Sequence, residues 1–111
     1  MKILNKEIEF DFLDVESMAK YEEALEKYMK ELEKIKEFKG KNAEGFKMLC
    51  ETVYNFFDEI LEKGSAIQIL GEKRNFGKCA RAMQEIIDEK LKSDKEVEDI
   101  LGKYSLDRWV Y

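Results

Sequence analysis

The sequence predicts a mainly α-helical single domain spanning residues 1–111. It consists of a small N-terminal β-hairpin followed by a bundle of four to five helices, one of them long and highly charged. Apolar residues recur at spacings of three and four over most of the chain, proline is absent, and glycines separate the periodic segments. Charged residues make up 41% of the chain and are interleaved with the apolar ones, which predicts solvated helix faces and not disorder.

The hairpin is predicted over residues 2–12. From Ile8 to Phe12 apolar and acidic residues alternate, which is the period of a strand with one buried face. Asn5 and Lys6 form the expected two-residue turn, since asparagine tolerates a positive φ. Because an isolated hairpin is marginal in water, we expect the phenylalanines of this segment to pack on helices.

The longest helix is predicted from Val15 to Phe38, with Asp14 as its N-cap and Gly40 closing it. Its apolar residues form an a/d seam: Met18, Tyr21, Leu25, Tyr28, Leu32 and Ile35. The seam lasts under three heptads, so two interpretations stay open. Either the helix lies across its own domain, or it pairs with a helix of a second molecule.

The second helix is predicted over residues 43–62, with Asn42 as N-cap and Gly64 at its end. It carries the widest apolar face of the chain, made of Phe46, Leu49, Cys50, Val53, Phe56, Phe57, Ile60 and Leu61. A face of this width is typical of a helix that is covered on several sides. We therefore expect this helix to be the central and most buried one.

A short third helix is expected over residues 66–70, between two glycine-marked breaks. Ser65 and Gln68 form a capping box at its start, and Gly71 stops it. Breaks of this kind let neighbouring helices fold back on one another. This part of the chain should therefore specify the tertiary fold.

A fourth helix is predicted to begin at Asn75, with the apolar residues Phe76, Cys79, Ala80, Met83, Ile86, Ile87 and Leu91. At Ser93 two interpretations stay open. A capping box of Ser93 with Glu96 favours a new helix over residues 94–103, whereas the continued apolar stripe favours one long helix. Residues 104–111 are expected to form an irregular tail, whose aromatic side chains either bind a partner or cover the core.

Composition argues against several classes of function. Histidine is absent, which removes the commonest general base and the usual metal ligand, so we expect neither an enzyme nor a cofactor or metal site. The formal net charge of −5 disfavours binding to nucleic acid or anionic lipid. No apolar run approaches the ~18 residues of a membrane span and no signal peptide is recognisable, so we expect a cytoplasmic protein.

The two cysteines, Cys50 and Cys79, are too few for a disulfide framework. Each falls on the apolar face of a predicted helix. We therefore interpret them as small buried hydrophobic residues in a reducing compartment and not as a disulfide or redox pair.

The segment that follows the third helix is a near miss to the phosphate-binding loop. That loop has four residues between its glycines and Ser or Thr after its lysine. Here five residues separate Gly71 from Gly77, and Cys79 follows the lysine, so nucleotide binding is not predicted. The same region holds a basic cluster, for which three interpretations stay open: a solvated face, an anion site or a contact for an acidic partner. Its members are Lys73, Arg74, Lys78 and Arg81.

Three segments occur in a recognisable order: NKEIEFDF, FFDEILEKGSAIQILGEKRNFGKCARAMQEII and KYSLDR. In these segments the chain resembles a family of uncharacterised small proteins encoded in phages and prophages of Gram-positive bacteria. The resemblance is strongest over residues 54–87. The chain departs from the family pattern where Ser65 replaces a common threonine and Leu106-Asp107 replaces Pro-Asn.

The resemblance implies a role similar to that of phage tail assembly chaperones, which hold the apolar helices of the tape-measure protein in the host cytoplasm. The alternative is a self-associating structural or adaptor protein of the virion. In the chaperone hypothesis, a groove between the long helix and residues 54–87 receives an amphipathic helix. The candidate partner-binding residues are Met18, Leu25, Leu32, Phe57, Lys73, Arg74 and Trp109.

Overall fold

The computed structural model describes residues 1–103, which form two short strands and four helices. The antiparallel strands are β1 (Lys2–Ile3) and β2 (Lys6–Glu7), and the helices are α1 (Val15–Lys36), α2 (Asn42–Ile60), α3 (Ser65–Leu70) and α4 (Phe76–Lys103). The predicted mainly helical fold with an N-terminal hairpin is confirmed. The predicted tail over residues 104–111, with Trp109, lies outside the described residues.

The hairpin is shorter than predicted, and its turn lies one residue earlier. Ile3 pairs with Lys6, so the turn consists of Leu4 and Asn5, both with positive φ (51° and 66°). A register shift of one residue would move Ile3 away from the core, where it is completely buried. Residues 8–12 lie beyond the paired strands, yet their side chains keep the predicted alternation of more buried and exposed positions.

α1 begins where predicted, because the Asp14 carboxylate accepts a hydrogen bond from the Ser17 backbone N–H at 2.9 Å. It ends at Lys36, two residues earlier than predicted, and with 22 residues it is not the longest helix. Its apolar seam packs within its own chain. Tyr21 is buried against Phe56 of α2, with ring centroids 5.9 Å apart.

α2 is the central helix, as predicted, and contributes more buried residues than any other element of residues 1–103. Its boundaries differ from the prediction. The N-cap residue is Lys41 and not Asn42, and no side chain caps this end. The helix ends at Ile60, and Gly64, with a φ of 97°, precedes α3 instead of closing α2.

α3 forms without the predicted capping box. The Asp58 Oδ1 atom, on α2, accepts a hydrogen bond from the Ala66 backbone N–H at 2.8 Å, whereas Ser65 makes no capping bond. A carboxylate on the neighbouring helix α2 therefore caps α3, in place of the predicted Ser65. Gly71 stops the helix as predicted, with a φ of 87°.

α4 is one continuous helix of 28 residues, the longest in the described chain. Its start is as predicted, since the Asn75 side chain accepts a hydrogen bond from the Lys78 backbone N–H at 3.0 Å. Ser93 lies inside the helix, so the predicted second capping box does not form. An ion pair between Lys90 and Asp94 spans this point and favours continuation of the helix.

Two long-range hydrogen bonds fasten the hairpin to the helices. The Leu4 backbone N–H donates to a Glu85 carboxylate oxygen on α4 at 2.9 Å. Lys6 Nζ donates to the Gln68 carbonyl oxygen on α3 at 2.6 Å. The hairpin thus closes one end of the helical core and does not stand apart from it.

Candidate functional site

α1 and α4 both pack on α2 and leave a cavity of about 310 Å³ between them. Leu49 and Val53 of α2 form its floor, and Tyr28 forms its wall on α1. We call this cavity the α1–α4 groove; it is lined by Tyr28, Leu49, Val53, Phe76, Ala80, Met83, Gln84 and Ile87. The groove is largely apolar and can bury an apolar surface of another molecule.

Phe46 and Phe76 stack at one end of the groove. Their ring centroids are 5.0 Å apart, their planes differ by 6°, and the two residues are 48% and 39% exposed. Both were expected on buried helix faces. Each ring lies in the first turns of its helix, since Phe76 is the first residue of α4 and Phe46 is the fifth residue of α2. Phenylalanine is enriched at the buried centres of protein interfaces, so this exposed pair offers an anchor for a bound partner.

A wider cavity of about 800 Å³ lies beside this aromatic pair. Lys47 and Glu51 of α2 line it together with Arg74 from the turn before α4. The apolar groove therefore opens, at its aromatic end, onto a charged surface.

The α4 wall of the groove continues past its other end as an exposed apolar stripe. Ile87 is 36% exposed and Leu91 is 61% exposed. From Phe76 to Leu91 the stripe is about 22 Å long, or roughly four helical turns. The apolar periodicity correctly placed Ile87 and Leu91 in the fourth helix. Both residues are exposed, however, and do not belong to the core.

The apolar residues predicted to bind a partner lie in different environments. Phe57 is completely buried, so it serves the core and offers no surface to a partner. Met18 and Leu25 are half-buried against the core on α1, and Leu32 is half-buried nearer the end of that helix. None of these four residues lines the α1–α4 groove.

Two residues of the predicted basic cluster, Arg74 and Lys78, bind other groups of the same chain. Arg74 stacks over the Tyr54 ring, with its guanidinium carbon 4.0 Å from the centroid, and its Nε donates to Glu51 Oε1 at 3.0 Å. Lys78 Nζ donates to the Leu70 carbonyl oxygen at 2.9 Å and so caps the end of α3. Lys73 is exposed in the turn between α3 and α4.

Cys50 of α2 and Cys79 of α4 are both buried, as predicted, and their free thiols are hydrogen-bonded to each other. Burial, together with a hydrogen bond to Cys50, raises the pKa of Cys79 to about 12. Burial also raises the pKa of Tyr28, so both groups are neutral at physiological pH. The Tyr28 hydroxyl and the Cys79 thiol therefore add no charge to this part of the molecule at physiological pH.

The residues missed by sequence reasoning are the floor of the groove and its aromatic end. Leu49 and Phe46 were recognised as apolar positions of α2, but which part of that face is left uncovered depends on where α1 and α4 cross it. The unusual width of the α2 apolar face was the one signal of this arrangement.

Two further features concern the chain from residue 1 to 103. It contains no group of three or more His, Cys, Asp or Glu side chains placed to hold a metal ion. No helix within this range combines the length and the apolar character needed to cross a bilayer.

Comparison with curated proteins gives no match, and comparison with solved structures gives none either. A family model matches residues 4–109, which is all but the first three and last two residues of the chain. It covers the turn of the hairpin, β2, all four helices and the groove. The chain belongs to the family of unknown function DUF6673.

Proposed function

We propose that this protein is a non-enzymatic, phage-derived helical protein that binds an amphipathic helix of another protein in the α1–α4 groove. The observation that carries the proposal is the apolar groove itself, with exposed aromatic rings at one end. A helix whose apolar residues recur at i, i+3, i+4 and i+7 fits a groove of this kind. Each large apolar side chain that it buries contributes about 1.5–3 kcal/mol.

The concrete version of the proposal is a tail assembly chaperone that acts on the tape-measure protein in the cytoplasm of the bacterial host. It rests on the resemblance to small phage and prophage proteins and on the helical build of the chain. A chaperone of this type would shield the apolar face of a long helix until tail subunits assemble around it.

The experiment is co-expression of the tagged chain with fragments of the tape-measure protein encoded by the same phage element. We expect at least one fragment to be retained. Retention of no fragment by the wild-type chain would exclude the chaperone role.

A groove variant tests where the fragment binds. Ala80→Glu places a carboxylate in the apolar groove, and we expect at least a tenfold loss of affinity for the fragment, because burial of an unpaired charge costs several kcal/mol. Ala19→Glu, on the exposed side of α1, is the matched control and should bind as the wild type does. Equal affinities of the two variants would show that the groove is not the binding site.

A further inference from the structure

The α4 face that packs on the core continues past the core as an apolar face. Six apolar residues lie on this side of the helix: Cys79, Ala82, Ile86, Val97, Ile100 and Leu101. Ile86 is the last buried residue of α4, and about 26 Å of helix follow it before Lys103. Of the three later residues, Val97 and Leu101 are half-buried and Ile100 is 45% exposed. We call these three residues the outer apolar face.

The outer apolar face points away from the groove. Ile87 and Leu91, which continue the α4 wall of the groove, lie about a quarter turn around the helix from it. A guest helix bound in the groove would therefore leave the outer apolar face uncovered. Covering this face requires a separate occupant.

The segment that follows α4 is rich in apolar side chains. We call residues 104–111, which lie outside the described residues, the post-α4 segment. Five of its eight residues are apolar: Tyr104, Leu106, Trp109, Val110 and Tyr111. The matching family model extends to residue 109 and so includes Trp109. Burial of side chains of this size removes a large apolar area from water, which favours their contact with an apolar surface.

The post-α4 segment is long enough to reach the outer apolar face. Val97 lies about 9 Å from Lys103 along the helix axis. Trp109 follows Lys103 by six residues, which span up to about 20 Å when extended, so the segment can reverse its direction and return to Val97. A segment joined to a binding face by so few residues has an effective concentration on the order of millimolar. A second copy of the chain at micromolar concentration therefore competes poorly for the same face.

We propose that the post-α4 segment folds back on α4 and packs Trp109 against the outer apolar face. The segment then acts as a strap over the end of α4, and Trp109 stabilises its own chain instead of binding a partner. The strap lies away from the groove, so this proposal does not rest on the proposed function.

Tryptophan fluorescence tests the strap directly, because Trp109 is the one tryptophan of the chain. We expect Trp109 of the full chain to emit at a shorter wavelength, and to be quenched less by acrylamide, than in the urea-unfolded chain. Ile100→Glu places a carboxylate in the proposed contact, and burial of an unpaired charge is costly. We expect this variant to lose most of the protection from acrylamide.

Leu91→Glu is the matched control, since it introduces the same carboxylate at an exposed position of the same helix on the groove side. It should protect Trp109 as the wild type does. Circular dichroism checks that α4 is intact in both variants. A wild-type Trp109 as accessible to acrylamide as in the unfolded chain would overturn the proposal, and so would an Ile100→Glu variant that keeps the protection.

Two further outcomes would refute the strap. Loss of the protection in Leu91→Glu would place Trp109 on the groove side of α4. Protection that falls on dilution through the micromolar range would show that a second copy of the chain supplies the contact. Protection that is independent of dilution and is lost in Ile100→Glu alone supports the strap.

Discussion

At the scale of single residues, Asp14 fixes where α1 begins. Its carboxylate accepts the Ser17 backbone N–H, and this hydrogen bond is the main cause that lowers the pKa of Asp14 below its ordinary value. A carboxyl whose pKa is lower in the folded state than in the unfolded state stabilises the fold above its ordinary pKa. That contribution is lost as the pH falls through the folded-state pKa.

We predict that Asp14→Ala lowers the urea midpoint at neutral pH and that the difference from the wild type shrinks as the pH falls through the acidic range. Asp14→Asn is the control, because an amide oxygen still caps the helix but does not titrate. It should retain most of the wild-type midpoint at neutral pH. A difference between Asp14→Ala and the wild type that stays constant with pH would contradict the assignment of the cap to the carboxylate.

At the scale of elements, the helix boundaries show when nearby residues are sufficient to predict where a helix begins or ends. The cap at Asn75 and the stop at Gly71 follow from local hydrogen bonding and from glycine's freedom to take a positive φ. Ser93 has the residues of a cap but lies within α4. A mid-helix serine costs little, and the Lys90 to Asp94 pair bridges the site, so continuation of the helix is favoured.

Proline substitution distinguishes one helix from two. In a continuous helix, Asp94→Pro removes a backbone hydrogen bond and clashes with the preceding turn, which costs about 3 kcal/mol locally. We expect a weaker helical circular dichroism signal and faster amide exchange over residues 94–103. Asp94→Ala, which removes only the ion pair, should keep both near wild type. If a new helix began after Ser93, proline at the first helical position would be tolerated and both signals would be unchanged.

At the scale of the whole molecule, the hairpin is a structural part of the core. Ile3 is completely buried, although it belongs to a strand of two residues. Its neighbour Leu4 donates its backbone N–H to Glu85, 81 residues away in the sequence. This hydrogen bond therefore joins the first residues of the chain to α4.

We predict that Ile3→Ala lowers the free energy of unfolding by about 2–5 kcal/mol, because a buried isoleucine leaves a cavity when it is truncated. The same substitution at Ile67, which is 44% exposed on α3, is the control and should cost less than about 1 kcal/mol. Urea unfolding of both variants measures the difference. Equal losses would show that the hairpin is not packed on the helices.

The candidate site also belongs to the whole-molecule scale. Tyr28, Leu49 and Phe76 come from three helices, and each is one apolar position in its own periodic pattern. The sequence identified them as apolar but did not distinguish those that face the core from those that face the groove. Phe57 was a candidate for the groove and is fully buried, whereas Phe46 was a candidate for the core and is exposed.

The sequence by itself determined the mainly helical class, the central role of α2, the cap at Asp14 and the start of α4 at Asn75. These features depend on apolar periodicity and on hydrogen bonds between residues a few positions apart, which act before the chain is compact. Only the tertiary structure decided that Asp58 caps α3 and where the groove opens, and it selected the continuous α4 from the two alternatives that the sequence left open. The cap and the groove depend on how separate helices pack on one another, and no local pattern of residues fixes that packing.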